Sequence, residues 1–520
     1  MGECNRRDFL KMIGASTTLA CLPVVPGCRT ETTYVRTPKP SVSPDAVEGA
    51  IYFDRFGVDQ GMIARILKEA LSRGGDFSEV FLQHKVTHWV GLEDGQVDRA
   101  YTNVDLGAGI RVLKGDATGF AYSEDLSEKS LISAAGTAAS VAAAGAPGVQ
   151  PVSLKAVETP NFYPVEIPWT EVGIDKKIPL VAKVDELARK KDPRIIKVTV
   201  TMSDETSNIL IANSEGRLVE DLQPMGVLRI NCVGRHKGKT ETAGKSVASA
   251  AGLEFFTPEI LAHTAGEAVD WTTLLFDAES PPAGNYPVVF GPGITGILLH
   301  EAIGHGMEAD FNRKNISIYA DRINTKIAPP VVDIFDDGTN PAMRGTINVD
   351  DESTPGQRTQ LVEKGILRSY MHDLISARHY ELESTGSGRR QSFRFPPVPR
   401  MRNTYMANGP HKPEEIIRSV KHGLYAENFL NGQVHIGAGD FTFYLKHGRM
   451  IENGKLTRVV KDANLIGNGP KVLETMDMVA DDLEMYSGAG FCGKDGQRVP
   501  VGFGMPTTRA GAISIGGRNS

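Results

Sequence analysis

The chain has 520 residues, which at about 150 residues per domain is enough for two to four domains. Hydrophobic residues make up 41% and charged residues 23%, and with a mean hydropathy of −0.20 this excludes a polytopic membrane protein. Lys and Arg total 57 against 63 Asp and Glu, a net charge of −6, and the five cysteines are odd and sparse; a nucleic-acid binder working through a global basic field and a disulfide scaffold are both excluded.

Residues 1–28 place Arg6 and Arg7 before a short, moderately apolar stretch that ends in small residues. This order is that of an export signal, and the frame RRDFLK resembles a twin-arginine signal. Val25-Pro26-Gly27-Cys28 has the form of a lipobox, with Cys28 as the lipid anchor and Cys21 as a weaker competitor. The sequence therefore predicts an exported protein facing the periplasm or cell envelope, cytoplasmic only if the signal is unused. Residues 29–50, rich in Thr, Pro and Ser, read as a linker.

The body begins near Ile51. Asp59 to Ser72 carries apolar residues at helical spacing. Phe77 to His88 reads as a strand, and Trp89 to Leu92 with Gln96 to Tyr101, around Glu93-Asp94-Gly95, as a hairpin, followed by strands Leu106 to Leu113 and Thr118 to Tyr122. Leu126 to Ala144 is Ala-rich and helical, with Gly145 placed to stop it. These form a first α+β unit over 51–146.

A second α+β unit covers 162–280. It holds a helix over Ile174 to Lys191, a meander of strands (Ile195 to Asp204, Thr206 to Asn213, Arg217 to Arg235), and a helix from Pro258 to Leu275 capped by Thr257. From Gly284 the texture changes. After a strand at Tyr286 to Phe290 and an apolar helix over Pro292 to Ile303, short β segments separated by Gly (330–336, 359–363, 366–372, 433–445, 449–452, 456–458) run to about 518. The expected class is α+β, two N-terminal α+β units followed by a β-rich catalytic C-terminal domain over 284–518.

The sharpest chemical feature is His300-Glu301-Ala302-Ile303-Gly304-His305-Gly306. Two histidines four apart lie about 40° apart around a helix and can share a metal; here they are five apart, an offset of about 140° on a regular α-helix. A straight helix would not aim both at one ion. Gly304 and Gly306 suggest that a bulged or unwound turn brings His305 round. Two histidines leave zinc short of ligands, since a catalytic site usually has three protein ligands and one open position. Candidates are His, Asp, Glu or Cys elsewhere. Cys492 is attractive because it sits in a polar Gly-rich stretch, Ser487 to Gln497, with Lys494 nearby to favour the thiolate. Cys232, in the apolar run Leu228 to Val233, reads as a buried, inert core residue.

Several separated segments resemble the TldD branch of the TldD/PmbA family, once labelled modulators of DNA gyrase and understood as zinc metalloproteases. They are LEDGQVDRAYTNVDLGAGIRVLKGDATGFAYSEDLS (92–127), HEAIGHGMEADFNRK (300–314), FPPVPRMRNTYM (395–406), MIENGKLTRVVKDANLIGNGP (450–470) and GFCGKDGQRVPVGFGMPT (490–507). The resemblance covers essentially 52–518. It implies that His300, His305 and Cys492 bind zinc and that Glu301 is the general base. It also implies unfolded or short peptide substrates reaching an enclosed site in a homodimer, or in a heterodimer with a PmbA-like subunit. Lys494, Tyr405, Arg402 and His435 are candidate donors to the oxyanion. The competing readings are another zinc hydrolase, such as an amidase or esterase, and a non-catalytic peptide-binding protein with structural zinc. Nothing in the chain reads as a nucleic-acid motif.

Overall fold

A computed structural model describes residues 51–141, 150 and 153–517. The expected export signal, the expected anchor at Cys28, the expected linker and the expected helix stop at Gly145 lie outside the described residues. Among the described residues no helix is long and apolar enough to cross a membrane.

Helix α1 (Gln60–Ala70) starts where the Asp59 side chain accepts the Met62 amide at 2.7 Å. The hairpin that follows is longer than its sequence suggested: β1 (Phe77–Glu93) and β2 (Gln96–Lys114) are single strands, joined at Asp94-Gly95. Both turn residues have positive φ, 49° and 81°, the geometry that matches the twist of paired strands. Strand β3 (Ala117–Ser123) and helix α2 (Glu128–Val141) complete the first unit. The second contains α3 (Ile174–Lys191), β4 (Ile195–Asn213), β5 (Arg217–His236), β6 (Lys239–Ser249) and α4 (Pro258–Leu274). Thr257 caps α4 through the Ile260 amide.

The two α+β units share one sheet. β1 pairs antiparallel with β4 from Glu79↔Asn213 to Glu93↔Thr199, giving the order β3-β2-β1-β4-β5 with β6 beyond. The alternation of β1 assigns its faces. Val80 and Leu82 pack with Ile63 and Leu67 of α1 and Leu131 and Ala135 of α2. Phe81 points the other way, onto Ile209, Ile211 and Phe393 of the C-terminal domain. Gly107 on β2 is required there, because a Cβ would lie 2.2 Å from the Phe393 ring.

The C-terminal domain is β-rich, as expected. Its labelled strands are β7 (Gly284–Phe290), β8 (Ile334–Asp337), β9 (Arg358–Glu363), β10 (Asn403–Met406), β11 (His422–His435), β12 (Asp440–Glu452), β13 (Lys455–Val460), β14 (Ala463–Asn468), β15 (Phe491–Lys494), β16 (Gln497–Pro500), β17 (Gly502–Met505) and β18 (Thr508–Gly517). The pairings β11-β7-β18-β14-β12 return to β11 and close on themselves, which leaves no free edge in that ring. A second sheet runs β9-β8-β10-β17. β15 and β16 form a separate two-stranded hairpin. The stretch 433–445, expected as one strand, is instead the end of β11, a turn and the start of β12. Gly439 closes that turn with φ 75°.

A buried ion network ties the N-terminal sheet to the C-terminal domain. Arg111 on β2 donates to Glu79 at 3.0 Å and to Glu352 at 2.6 Å, and Arg390 also reaches Glu79. Removing one partner of such a network strands a buried charge, at about 3–5 kcal/mol. Arg111→Ala is expected to destabilise the protein by that amount in denaturant unfolding, whereas exposed Arg65→Ala, which loses only a surface pair with Glu128, should cost less than about 1 kcal/mol.

Candidate metal centre

The expected apolar helix over Pro292 to Ile303 is broken into four short turns of three kinds. A 3-10 turn (Ile294–Gly296) leads to one α turn (Ile297–Leu299), then a π turn (His300–Gly304), then a second 3-10 turn (His305–Met307). The π turn, with its i→i+5 hydrogen bonding, is the bulge that the five-residue spacing requires. It carries His305 back to the side of His300, and the two rings meet at 5.1 Å between centroids and 80° between planes.

Glycine contributes here through close approach. Gly304 has φ −59° and ψ −48°, ordinary right-handed values. A Cβ at Gly304, however, would lie 2.3 Å from the Met401 sulfur, and one at Gly296 would lie 2.7 Å from the backbone of Gly504 on β17. The segment is pressed against its neighbours and holds its wound shape through them.

Cys492 arrives from the β15–β16 hairpin, whose tip at Asp495-Gly496 has φ 50° and 72°. The ligating atoms of His300, His305 and Cys492 all lie within 4.8 Å of one another. All three side chains are buried. The Cys492 Sγ stands 3.6 Å from His305 Nε2, close to the N···S separation of about 3.6 Å between two ligands of one tetrahedral zinc. Both ring nitrogens of His300 are buried without a hydrogen-bond partner. An imidazole left so is costly unless something else takes its lone pair, and a metal ion does. The residues present fit a metal.

Electrostatics point the same way. Burial alone would push the Cys492 thiol up, but the facing His300 and His305 imidazoles outweigh it and hold it well below the usual thiol range. For His305, burial disfavours the charge, while Glu308 and Cys492 raise it well above the usual value. Cys232, by contrast, is buried in β5 with its thiol pushed up to about 12 by desolvation, the inert residue expected. Glu301 keeps its side chain partly open to solvent, with Oε2 3.8 Å from His305 Nε2. It is thus beside the trio and reachable by water.

The expected oxyanion donors do not gather there. Arg402 is buried against Asp336 at 2.7 Å and the Thr385 carbonyl at 2.7 Å, holding β8 to β10. The Tyr405 hydroxyl accepts from Arg358 at 3.0 Å and faces Asp337. His435 is exposed at the end of β11. Lys494 is close, but its ammonium is surrounded by Glu308, Asp310 and the Pro399 carbonyl. A surface cavity of about 880 Å³ lined by Lys421, His422, Glu474 and Arg509 has none of the trio in its walls. The sequence reading missed Glu308, three residues beyond His305, whose Oε2 accepts from or faces Nδ1 at 2.9 Å. A carboxylate one turn past a ligand histidine is the signal that could have found it.

Comparison with known proteins agrees with this geometry. The family models of PmbA/TldA metallopeptidase domain 1, central domain and C-terminal domain match residues 78–142, 167–272 and 283–517. The chain belongs to the PmbA/TldA metallopeptidase family. A metalloprotease TldD homolog of Buchnera aphidicola is 38% identical over 460 residues, 87% of this chain and 95% of that one. Two crystal structures of 20% identity share the fold of this family member. One, from Thermotoga maritima and described as a candidate modulator of a DNA gyrase, has a TM-score of 0.72 and covers 89% of this chain and 100% of its own. The other, TldE from Thermococcus kodakarensis, has a TM-score of 0.68 with 88% and 100% covered.

If the trio holds the metal, Cys492→Ala and His300→Ala should each leave the purified protein well below one bound divalent ion per chain by elemental analysis, and full retention would remove that residue from the ligand set. Gly304→Ala should cost about 1–3 kcal/mol by overpacking against Met401, read as a lowered unfolding midpoint.

Proposed function

We propose that this metallopeptidase is zinc-dependent, held by His300, His305 and Cys492, and hydrolyses unfolded or short peptides. The observation that carries the reading is the convergence of two imidazoles and a thiolate, one imidazole without any other partner, beside a solvent-reachable carboxylate. Two neutral nitrogens and one sulfur are a donor set suited to zinc. Zinc bound there supplies Lewis acidity and an acidified water.

The chain's own groups supply the rest. Glu301 takes the proton of the attacking water and returns it to the leaving amine. It follows His300 directly, lies 3.8 Å from His305 Nε2 and keeps part of its side chain open to solvent, which supports this role. Burial of all three ligands excludes bulk water from behind them and strengthens each electrostatic contact. An extended peptide bound through its main chain would be held with little side-chain selectivity. A structural zinc would have no use for Glu301, which favours the peptidase over the binding-protein reading. An amidase or esterase would use the same groups on a smaller substrate.

Assembly and location extend the proposal. The resemblance to the TldD branch implies a two-subunit enzyme, with this chain as either a homodimer or the partner of a PmbA-like subunit. The paired Arg6 and Arg7 support export, with Cys28 as a lipid anchor.

Glu301→Gln should keep stoichiometric zinc and lose cleavage of an unstructured peptide library by about 10²-fold or more; undiminished cleavage would overturn the mechanism. Export is tested by fractionation. The wild type should be found in the envelope fraction and Arg6→Lys/Arg7→Lys in the cytoplasm, and a cytoplasmic wild type would refute the signal.

A further inference from the structure

Two of the three ligands are anchored differently. His300 has no hydrogen-bonding partner on either nitrogen. His305 is gripped at Nδ1 by Glu308 at 2.9 Å, and its Nε2 faces the Cys492 sulfur. Glu308 is fully buried, and the same oxygen that meets His305 lies 3.1 Å from Lys494 Nζ. Lys494 is held in turn by Asp310 at 2.7 Å and by the Pro399 carbonyl at 3.0 Å.

Lys494 is two residues beyond Cys492 on the same hairpin, and Glu308 is three beyond His305 on the wound segment. The ion pair therefore joins the two pieces of chain that supply ligands. We infer that Glu308 and Lys494 are positioning residues that act as a latch, fixing the tautomer and aim of His305 while locking the Cys492 hairpin against the histidine segment. This inference rests on the metal-site reading above.

The physical argument has two parts. In the tautomer that donates Nδ1–H to Glu308, the Nε2 lone pair is free and directed toward the sulfur, where a shared ion would sit. The carboxylate also makes that nitrogen a better donor. A lone buried carboxylate would be too costly to keep. Lys494 neutralises it, and Asp310 with the Pro399 carbonyl fills the remaining ammonium positions. The requirement that one oxygen of Glu308 meet both His305 and Lys494 sets the hairpin's distance from the wound segment. It also accounts for Lys494 being absent from the oxyanion role: its three donors are committed.

The test measures zinc affinity of the full-length protein, stripped of metal and titrated against a competing chelator, in Glu308→Gln, Lys494→Met and the double variant. The double variant removes both charges together, so it leaves less unpaired charge in the interior than either single change. Outer partners of a ligand histidine are worth about 10–100-fold in metal affinity, and a loss of that size is expected in each variant that folds. The double variant should lose less than the product of the two single losses, because one latch has been removed twice. Cobalt substituted for zinc gives a second readout: the ligand-field bands should shift or broaden in Glu308→Gln. A variant with wild-type zinc affinity and an unchanged cobalt spectrum would overturn the latch, even if its apoprotein melts earlier, since a merely structural pair lowers stability without touching the metal. Zinc retained by His300→Ala and Cys492→Ala would instead overturn the site itself, so the two failures are distinguishable.

Discussion

Two histidines five positions apart, His300 and His305, face one point, and the C-terminal domain of this protein is arranged around that mismatch. A regular α-helix would aim them about 140° apart. The π turn at His300–Gly304 removes the mismatch, and a π turn is a poor structure in isolation. Its surroundings over-determine it. Met401 presses on Gly304, Gly504 on Gly296, and the Tyr319 ring on Gly306. Glycines that looked like permission for unusual backbone angles turn out to be permission for contact. The closed ring of strands and the β8–β10–β17 sheet thus do more than fill a core, since they set the winding of one short segment.

The N-terminal half is bound to this arrangement through packing and charge. Its single sheet has helices on one face, while the other face meets Phe393 through Phe81, Ile209 and Ile211. Phe393 lies in the same stretch as Arg390 and Arg400. Arg390 reaches Glu79 on β1, and Arg400 donates to the carbonyl of Cys492. One segment, 389–400, therefore touches both the N-terminal sheet and the hairpin that delivers the thiolate. Displacing the N-terminal sheet would be felt at Cys492 within a few residues of chain.

Local features were legible in the sequence and non-local ones were not. The helices over Gln60–Ala70 and Pro258–Leu274 announce themselves through apolar spacing and their caps, Asp59 and Thr257. Most strands of both N-terminal units were visible, although Lys239–Ser249 was missed, but their union was not: β1 pairs with β4 across more than a hundred residues, and nothing in either segment's alternation names its partner. The short helices Leu374–His379, Pro413–Arg418 and Gly469–Glu474 escaped because one turn or two gives too little periodicity. At the site, residue chemistry and spacing singled out His300, Glu301 and His305, and an unusual loop composition singled out Cys492. Arg402 and Tyr405 misled because a buried arginine holding two strands and one exposed at a cleft are the same letter. Glu308 was hidden by its place just past the motif, where nothing in the spacing marks it as a partner of His305.

The distance along the chain between His305 and Cys492 is 187 residues. A ribosome must therefore make and release that whole span before the third ligand can meet the other two. Until then the emerging polypeptide holds two histidines and a carboxylate without Cys492. The three-residue cluster is therefore completed late, only once the β15–β16 hairpin near the end of the chain has been made.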